Sequence, residues 1–333
     1  MTDKIRWGIL GCGRIASKFA SDLKYVANSE IVAAGSRNIE SANAFADEFN
    51  IPHRHGSYED LVKDKDVDVI YIATPHNLHY ENTLLCLNNN KAVLCEKPFA
   101  MNYQQSKAMI TLAREKKVFL MEALWTKFLP HYTLTRQLVQ DGKIGTIKSM
   151  LVNFGFRPAN PVPKRLLDPA LGGGTIMDIG IYNAFIAMSF LGKPDSIEAT
   201  MTAADTGVDE QCAVLFKYKN GAVAQLFSSF VSDLATEADI CGDKGRIRLA
   251  TRFYEPSTTI EYYADRPDSR KDIPFEKEAG FGYQYEARHV VECLQKGLTE
   301  SPVMTHRDTL DLIEVLDKIR SIAGIRYNED INT

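Results

Sequence analysis

The stretch Ile5-Arg-Trp-Gly-Ile-Leu-Gly11-Cys-Gly13-Arg-Ile-Ala16 combines an apolar run, a glycine turn and the start of a helix-like pattern. Gly11 allows a tight turn, and Gly13, which has no Cβ, lets the backbone approach a ligand closely. The helix that follows would direct its first amides, around Arg14 and Ile15, and its positive dipole end toward an anion. This order predicts a dinucleotide-binding unit, with Ala accepted at the third glycine position. The alternative is a purely structural strand-to-helix turn.

The second predicted strand, within residues 29–38, ends in Ser36-Arg37-Asn38, and no acidic residue follows before Glu40. NAD sites usually place an acid near this point for the ribose 2′-hydroxyl, whereas NADP sites offer Arg and small hydroxyls to a 2′-phosphate. A guanidinium pairs with phosphate and stacks on adenine. Ser36, Arg37 and Asn38 are therefore predicted to bind NADP, and NAD is the less favoured cofactor. The alternative for Arg37 is an ordinary exposed side chain at a strand end.

The composition predicts a soluble globular protein of two domains, since the chain has 333 residues, 45% hydrophobic and 25% charged. A net charge of −4 gives no electrostatic reason for binding nucleic acid or an anionic membrane. No apolar run is read as long enough to span a bilayer, and the start lacks a signal-peptide pattern. The expected location is the cytoplasm.

Cysteine and histidine spacing argues against a disulfide framework and against a metal site. The six cysteines are scattered without a CxxC pair and are expected to be reduced, mostly buried thiols. They are Cys12, Cys86, Cys95, Cys212, Cys241 and Cys293. The pairs His53/His55 and His76/His79 lack the Cys or carboxylate neighbours that a catalytic zinc would need, so no metal is predicted.

The first third of the chain alternates strand-like and helix-like segments, which predicts a parallel sheet covered on both faces. Ser57-Tyr-Glu-Asp60 resembles a capping box at the start of a short helix. Later strands are predicted at residues 67–73, 91–95 and 118–121. Residues 1–122 are thus predicted to form a Rossmann dinucleotide-binding domain.

The pattern after residue 122 changes to helices followed by consecutive β-rich runs with short turns. Helices are predicted at about 130–141, 175–191, 283–296 and 307–322, and strands at 147–156, 197–203, 211–218, 222–230, 237–241, 245–249 and 258–263. Consecutive strands joined by short turns favour antiparallel pairing. Residues 123–333 are predicted to form an α+β domain with a large, mostly antiparallel open sheet, and the two domains are expected to share a cleft.

The segment Ala73-Thr-Pro-His76-Asn77-Leu-His79 follows a strand that is predicted to be buried. Ligands of open α/β sheets bind outside the carboxyl ends of the strands. Thr74, Pro75, Asn77 and His79 are therefore candidates for cofactor binding.

Two further segments carry candidate chemistry. Glu96 and Lys97, in Cys95-Glu-Lys-Pro98, follow the next strand and are candidates for cofactor binding. The lysine would lie over the cofactor, and the alternative is a solvated loop lysine. In Gly172-Gly-Gly-Thr-Ile-Met-Asp178-Ile-Gly-Ile-Tyr182 a helix would place Asp178 and Tyr182 on one face. The alternative for Tyr182 is a core aromatic residue.

Together, these motifs resemble the Gfo/Idh/MocA family of oxidoreductases over essentially the whole chain. They are the glycine motif, Thr-Pro-x-Asn-x-x-His, Glu-Lys-Pro, and Gly-Gly-Gly-x-x-x-Asp-Ile-Gly. Met121-Glu-Ala-Leu-Trp125-Thr-Lys-Phe-Leu-Pro130 and Asp178-Ile-Gly-Ile-Tyr182 are most similar to family members that use NADP with dihydrodiols or sugars. Inositol-oxidising members carry His where this chain has Tyr182, which disfavours an inositol substrate.

The resemblance implies hydride transfer between nicotinamide and a hydroxyl or carbonyl of a sugar, cyclic polyol or trans-dihydrodiol. Tyr182 would exchange the proton, and a neighbouring Lys97 ammonium would lower the phenol pKa from its reference of about 10. Asp178 would hold Lys97 in place. His76, Trp125 and Arg157 are candidate substrate contacts.

Two expectations concern assembly and function class. Strand alternation predicts Val214, Phe216, Leu226 and Phe230 as outward positions, from which we expect a homodimer formed sheet to sheet, and the resemblance suggests the same mode. A Rossmann scaffold does not guarantee catalysis, so a non-catalytic NADP-binding regulatory protein is the alternative. The presence of both Lys97 and Tyr182 favours the enzyme.

Overall fold

The fold comes from a computed structural model that describes residues 4–264 and 268–330. It has two compact units. The first contains Met1–Lys127 and Glu278–Leu310, and the second contains Phe128–Lys277 and Asp311–Thr333.

Most strands and helices of the described residues follow the predicted order with small shifts at their ends, but the short elements at residues 53–55, 164–167 and 271–273 were not predicted. The strands are β1 Ile5–Leu10, β2 Ser29–Gly35, β3 His53–His55, β4 Val69–Ile72, β5 Ala92–Glu96, β6 Leu120–Ala123, β7 Ile147–Gly155, β8 Ser196–Ala203, β9 Asp209–Lys217, β10 Val223–Ser229, β11 Ala238–Gly242, β12 Arg246–Ala250, β13 Thr259–Tyr263 and β14 Lys271–Ile273. The α-helices are α1 Arg14–Leu23, α2 Ile39–Phe49, α3 Tyr58–Lys63, α4 His79–Asn88, α5 Tyr103–Lys116, α6 Pro130–Gln140, α7 Lys164–Leu167, α8 Ile181–Leu191, α9 Tyr283–Gln295 and α10 His306–Ala323.

The first unit contains a parallel sheet in the order β3-β2-β1-β4-β5-β6. This is the doubly wound order of dinucleotide-binding domains, so the predicted Rossmann fold is confirmed. The predicted cap of α3 is also confirmed, since the Ser57 hydroxyl accepts the Asp60 amide at 3.1 Å. The short edge strand β3 was not predicted, because three residues with two histidines carry no strand-like alternation.

Helix α9 belongs to the first unit, although it lies far along the chain. Asp22, at the end of α1, is almost fully buried and accepts the amides of Phe281, Gly282 and Tyr283, each at 2.9 Å. The division therefore differs from the predicted single boundary after residue 122. A sequence pattern defines α9 as a helix but does not show which core it packs against.

The second unit contains an eight-stranded sheet in the order β14-β13-β12-β11-β7-β10-β9-β8. Strands β7 and β10 pair in parallel, and the other neighbouring pairs are antiparallel. The predicted mostly antiparallel open sheet is confirmed.

The predicted outward face of this sheet is wrong. Val214, Phe216, Leu226 and Phe230 are all buried, on the face against which helix α8 packs at β7 and β10. Alternation shows that two sets of positions face opposite ways but not which set meets the core, and a shift of one residue exchanges the faces. The opposite positions include Leu151, which is 47% exposed.

One helical stretch, Pro169–Leu191, is long and apolar enough to cross a membrane, so the sequence-based statement that no run reaches that length is wrong. In the fold, 78% of its most apolar window is buried inside the protein. Such burial is what a core helix of a globular unit shows, because a helix that is apolar on all sides must be covered by other elements.

Candidate active site

The glycine turn after β1 has the geometry that a pyrophosphate requires. Gly11 has a φ of +95°, which favours glycine, and a Cβ there would lie 3.1 Å from Thr74 Cγ2. Gly13 is the N-cap of α1, and nothing lies within 4 Å of the position of its missing Cβ. The first turn of α1 contains no acidic residue. The amides around Arg14 and Ile15 therefore begin a helix with room for an anion, which fits a dinucleotide.

At the end of β2, Arg37 fits a 2′-phosphate more clearly than Ser36 and Asn38 do. Arg37 is exposed, and its charge reaches Tyr58, whose pKa is raised by burial and lowered by Arg37. The Ser36 amide donates to His55 O at 3.1 Å. The Asn38 side chain accepts the Ser41 amide at 2.8 Å and caps α2, so part of its hydrogen-bonding capacity is already used.

The segment after β4 is tied to the segment after β5 by His79. This side chain has no exposed surface, and its Nε2 lies 2.9 Å from Thr74 O while its Nδ1 lies 2.7 Å from Pro98 O. Burial lowers the His79 pKa, and the two backbone carbonyls oppose that shift. We therefore expect His79 to act on the cofactor site through these two segments, without touching the ligand.

Asn77 and Thr74, in the same segment as His79, differ in the hydrogen-bonding capacity that they retain for a ligand. The Asn77 Oδ1 is buried and has no hydrogen-bond partner among the described residues, so the Asn77 amide remains a good candidate for a cofactor contact. Thr74 Oγ1 instead accepts a hydrogen bond from Asn82 Nδ2 at 3.1 Å. Because a hydroxyl can both donate and accept, Thr74 retains its donor.

Lys97 follows β5 and is half-buried. Its backbone amide donates to Glu96 Oε2 at 3.1 Å, and the other carboxylate oxygen of Glu96 accepts a hydrogen bond from the Tyr71 hydroxyl. The charge of Lys97 is one of the causes that lower the His79 pKa. Glu96 is therefore committed to fixing the backbone at Lys97, and its predicted contact with the cofactor stays a prediction.

Trp125 is buried and stacks on Tyr283, with ring centroids 4.6 Å apart and planes at 5°. One of its two faces is therefore already covered within the first unit. His76 is half-buried, and its ring centroid lies 5.9 Å from that of His79. The stacking partner Tyr283 was missed by the sequence analysis, since it lies more than 150 positions away and no motif connects it to Trp125.

In the second unit, Asp178 and Tyr182 lie on one continuous helical stretch, but its first part, Ile176–Gly180, is a π-helix. Asp178 Oδ2 accepts a hydrogen bond from Arg165 Nη1 at 3.2 Å. Both residues adjoin Tyr254, since the Tyr182 and Tyr254 ring centroids are 5.2 Å apart and the charge of Asp178 acts on Tyr254. Burial is the main cause that raises the Tyr254 pKa to about 12.

Aromatic rings enclose the Tyr182 side chain. Phe154 stacks on Tyr254 with centroids 4.4 Å apart and lies 5.9 Å from Tyr182. Tyr254 was not singled out from the sequence because it lies in the irregular segment between β12 and β13. We call the group formed by Phe154, Tyr182 and Tyr254 the aromatic enclosure.

Arg157 follows β7 and is held by Asp233. Its amide donates to Asp233 Oδ1 at 2.9 Å, and its Nε donates to Oδ2 at 2.8 Å. The backbone and side-chain bonds from Arg157 lower the Asp233 pKa. The guanidinium is largely exposed, so this pair contributes little to stability.

The premise that His53 and His55 lack a carboxylate is wrong. His53 Nδ1 and His55 Nε2 lie 2.7 and 2.9 Å from the same oxygen of Asp64, and His53, Asp64 and Asp66 offer potential ligand atoms within 4.8 Å of one another. The two imidazoles hydrogen-bond to the Asp64 carboxylate, and Arg6 Nη1 forms an ion pair with Asp66 Oδ1 at 2.8 Å. The cluster is therefore largely satisfied by its own hydrogen bonds.

Comparison with protein families decides the class. Residues 5–124 match the model described as "Oxidoreductase family, NAD-binding Rossmann fold", and residues 132–248 match the GFO/IDH/MocA C-terminal domain. The chain belongs to the Gfo/Idh/MocA oxidoreductase family. It is therefore an oxidoreductase with an NAD(P)-binding Rossmann domain, and the predicted resemblance is confirmed.

Similar members of the Gfo/Idh/MocA family include trans-1,2-dihydrobenzene-1,2-diol dehydrogenases. The one from Xenopus laevis is 39% identical over 331 residues, covering 97% of this chain and 99% of its own. The Homo sapiens one is 36% identical over 334 residues, with 98% and 99% coverage. These named relatives are dehydrogenases, as the sequence predicts for this chain.

Solved structures show the same fold. KijD10, a 3-ketoreductase from Actinomadura kijaniata in complex with NADP and TDP-benzene, aligns with a TM-score of 0.86 and 26% identity, covering 96% of this chain and 98% of its own. Aldose-aldose oxidoreductase from Caulobacter crescentus aligns with a TM-score of 0.88 and 24% identity over the same shares. The ketoreductase was also solved as variants that change a lysine to alanine or glutamate and a tyrosine to phenylalanine.

Proposed function

We propose that the chain is an NADP-dependent dehydrogenase that acts on a hydroxyl of a cyclic diol or a sugar ring. The observation that carries the proposal is the aromatic enclosure, in which the rings of Phe154 and Tyr254 lie beside the Tyr182 ring in the second unit. A ring-shaped substrate can pack its flat face against aromatic side chains. The related dihydrodiol dehydrogenases and the aldose oxidoreductase support the same class of substrate.

The protein's own part in the reaction is to orient the substrate and to move one proton. When bound, the nicotinamide supplies the hydride acceptor. We assign proton transfer at the substrate oxygen to the Tyr182 hydroxyl. Lys97, which the family resemblance pairs with this tyrosine, is assigned to support that step, because an ammonium favours the phenolate form of a tyrosine. We assign Asp178 the role of positioning charged groups in the site. Because Asp178 accepts a hydrogen bond from Arg165, we include that arginine in the site.

NADP is the proposed cofactor because the end of β2 presents Arg37 and has no acid before Glu40. Arg37→Ala is expected to weaken NADP(H) binding by on the order of 1.5–3 kcal/mol, or about 10- to 150-fold, because a charged contact with the 2′-phosphate is lost. Binding of NAD(H) should stay unchanged. Fluorescence titration of the reduced cofactors measures both, and Arg54→Ala, on the neighbouring strand β3, is the matched control. Equal affinity of the wild type for NADPH and NADH would contradict the assignment.

We also propose that the chain forms a homodimer through the open face of the second unit's sheet. Leu151, Leu215 and Phe227 line a pocket of about 610 Å³ on this face. Leu151→Asp is expected to convert the dimer to a monomer, since a charge would be buried without a partner. Ile322→Asp is the control, because Ile322 is also exposed but lies on α10. Light scattering at micromolar concentration measures the mass, and a wild-type mass of one chain would refute the dimer.

The experiment that tests the proposed function is a substrate panel. Purified protein is mixed with NADP⁺ and, in turn, with trans-dihydrodiols, aldoses and cyclic polyols, and the absorbance of reduced nicotinamide is followed. We expect a gain with at least one ring-shaped substrate. If the protein binds NADP(H) tightly but reduces NADP⁺ with none of these substrates, the result would instead favour a non-catalytic NADP-binding regulatory protein.

A further inference from the structure

The segment that precedes Tyr182 is a π-helix, Ile176–Gly180, which runs directly into α8. A π-helix closes its hydrogen bonds between residues five apart, where an α-helix uses residues four apart, so its turn is wider than an α-helical turn. Each residue of an α-helix turns the chain by about 100°. Restoring an α-helical start would therefore rotate Asp178 relative to Tyr182 on this continuous helical stretch.

One buried carboxylate holds the start of that turn. Asp209, at the beginning of β9, has no exposed surface. Its Oδ2 accepts the Thr175 hydroxyl at 2.5 Å and the Ile176 amide at 2.7 Å. Because the Thr175 proton goes to the carboxylate, the Ser228 hydroxyl, 2.9 Å from Thr175 Oγ1, must be the donor in that contact. Strand β9 is thus bonded to Thr175 and Ile176, and strand β10 to Thr175, the residue that precedes the π-helix.

The other side of the carboxylate is closed by the glycine segment. Gly174 has a φ of +111°, and a Cβ there would lie 2.3 Å from Asp209 Oδ1. The carbonyl of Gly173 accepts a hydrogen bond from the Tyr327 hydroxyl. Asp209 Oδ1 has no hydrogen-bond partner among the described residues. The two glycines therefore let the backbone pass close to the Asp209 carboxylate, and this close approach fixes the start of the π-helical turn.

The charge of Asp209 strengthens these bonds. Burial raises the Asp209 pKa to about 6, and the hydrogen bonds from Thr175 and Ile176 oppose that shift because they favour the ionised carboxylate. Burial is the main cause that raises the pKa values of Cys212 and Tyr327, and the charge of Asp209 raises both further. Hydrogen bonds to an ionised acceptor are roughly twice as strong as neutral ones. A negative charge at the start of a helix is also favourable.

We propose that Asp209 is a positioning residue for the chemical step, which acts by fixing the π-helical turn that orients Asp178 and Tyr182. The inference rests on the proposed role of Tyr182. Asp209 belongs to the second unit, whereas the glycine turn and Arg37 belong to the first. Its loss should therefore lower kcat and leave the affinity for NADP(H) unchanged.

The test compares Asp209→Ala with Asp209→Asn, which keeps one acceptor oxygen. Misplacing a reacting group by about 1 Å can cost 10²-fold, so we expect Asp209→Ala to lower kcat by about 10- to 100-fold. Asp209→Asn should restore most of that loss. In a Tyr182→Phe background, Asp209→Ala should lower kcat little further, because the hydroxyl that it orients is already absent. An equal loss in both backgrounds would show that Asp209 is only structural and would overturn the inference.

A second pair of variants keeps the test decisive if Asp209→Ala does not fold. Thr175→Val removes the hydroxyl with little change in shape, and Thr175→Ser keeps it. We expect a fall in kcat for the first and near-native kcat for the second, at equal NADPH affinity. Equal kcat for both would overturn the inference. The proposed function fails separately, when Tyr182→Phe alone retains turnover.

Discussion

Tyr182→Phe is expected to lower turnover by about 10²- to 10⁴-fold, the range for loss of a positioned proton-transfer group. Only a hydroxyl is removed, and the ring keeps its place beside Phe154 and Tyr254. NADP(H) binding should therefore remain near native. Steady-state kinetics on the substrate that the panel identifies measure the first effect, and cofactor titration measures the second.

Tyr254→Phe is the matched control for this prediction, since it makes the same chemical change in the adjoining ring. It should affect KM more than kcat, because Tyr254 is assigned to the surface that contacts the substrate. If Tyr182→Phe kept near-native turnover, the phenol would be only a packing residue. His76 would then be the leading proton-transfer group, since both ring nitrogens of His79 already face backbone carbonyls.

Lys97→Met is expected to reduce both turnover and the affinity for NADP(H). The proposed assignment gives this one ammonium two roles, stabilising the phenolate and binding the cofactor, and the variant loses both. We expect turnover to fall by about 10²-fold or more, as for other groups that act in proton transfer. Lys107→Met, an exposed lysine on α5, is the control and should behave as wild type.

The double variant of Lys97→Met and Tyr182→Phe tests whether the two residues act as a unit. Residues that act together show strongly non-additive effects. The double variant should therefore be only slightly slower than the slower single variant. Fully additive losses in the free energy of activation would contradict a joint role and would leave Lys97 as a cofactor contact alone.

Much of the fold could be predicted because the deciding patterns are local. The glycine turn requires residues at fixed spacing, and the structure gives Gly11 the positive φ that the pattern implies. Alternating strands and helices specify a parallel sheet, and consecutive strands specify an antiparallel one. Ser57 could be predicted as a cap because both partners lie within one turn.

The features that were missed depend on contacts between distant parts of the chain. Asp22 holds residues that lie 259 to 261 positions later, and no local pattern reveals such a pair. The face of the second sheet was assigned wrongly because alternation does not distinguish inside from outside. The π-helix is also not local in origin, since its start is fixed by Asp209 on a later strand.

The central claim is that hydride passes between a substrate carbon and NADP. It is tested most directly with a panel substrate that carries deuterium on the carbon bearing the hydroxyl. After one turnover with NADP⁺, mass spectrometry of the isolated cofactor should show one deuterium gained by the reduced nicotinamide, and turnover should slow relative to the unlabelled substrate. Reduced cofactor without deuterium, or no reduction with any panel substrate, would contradict the account.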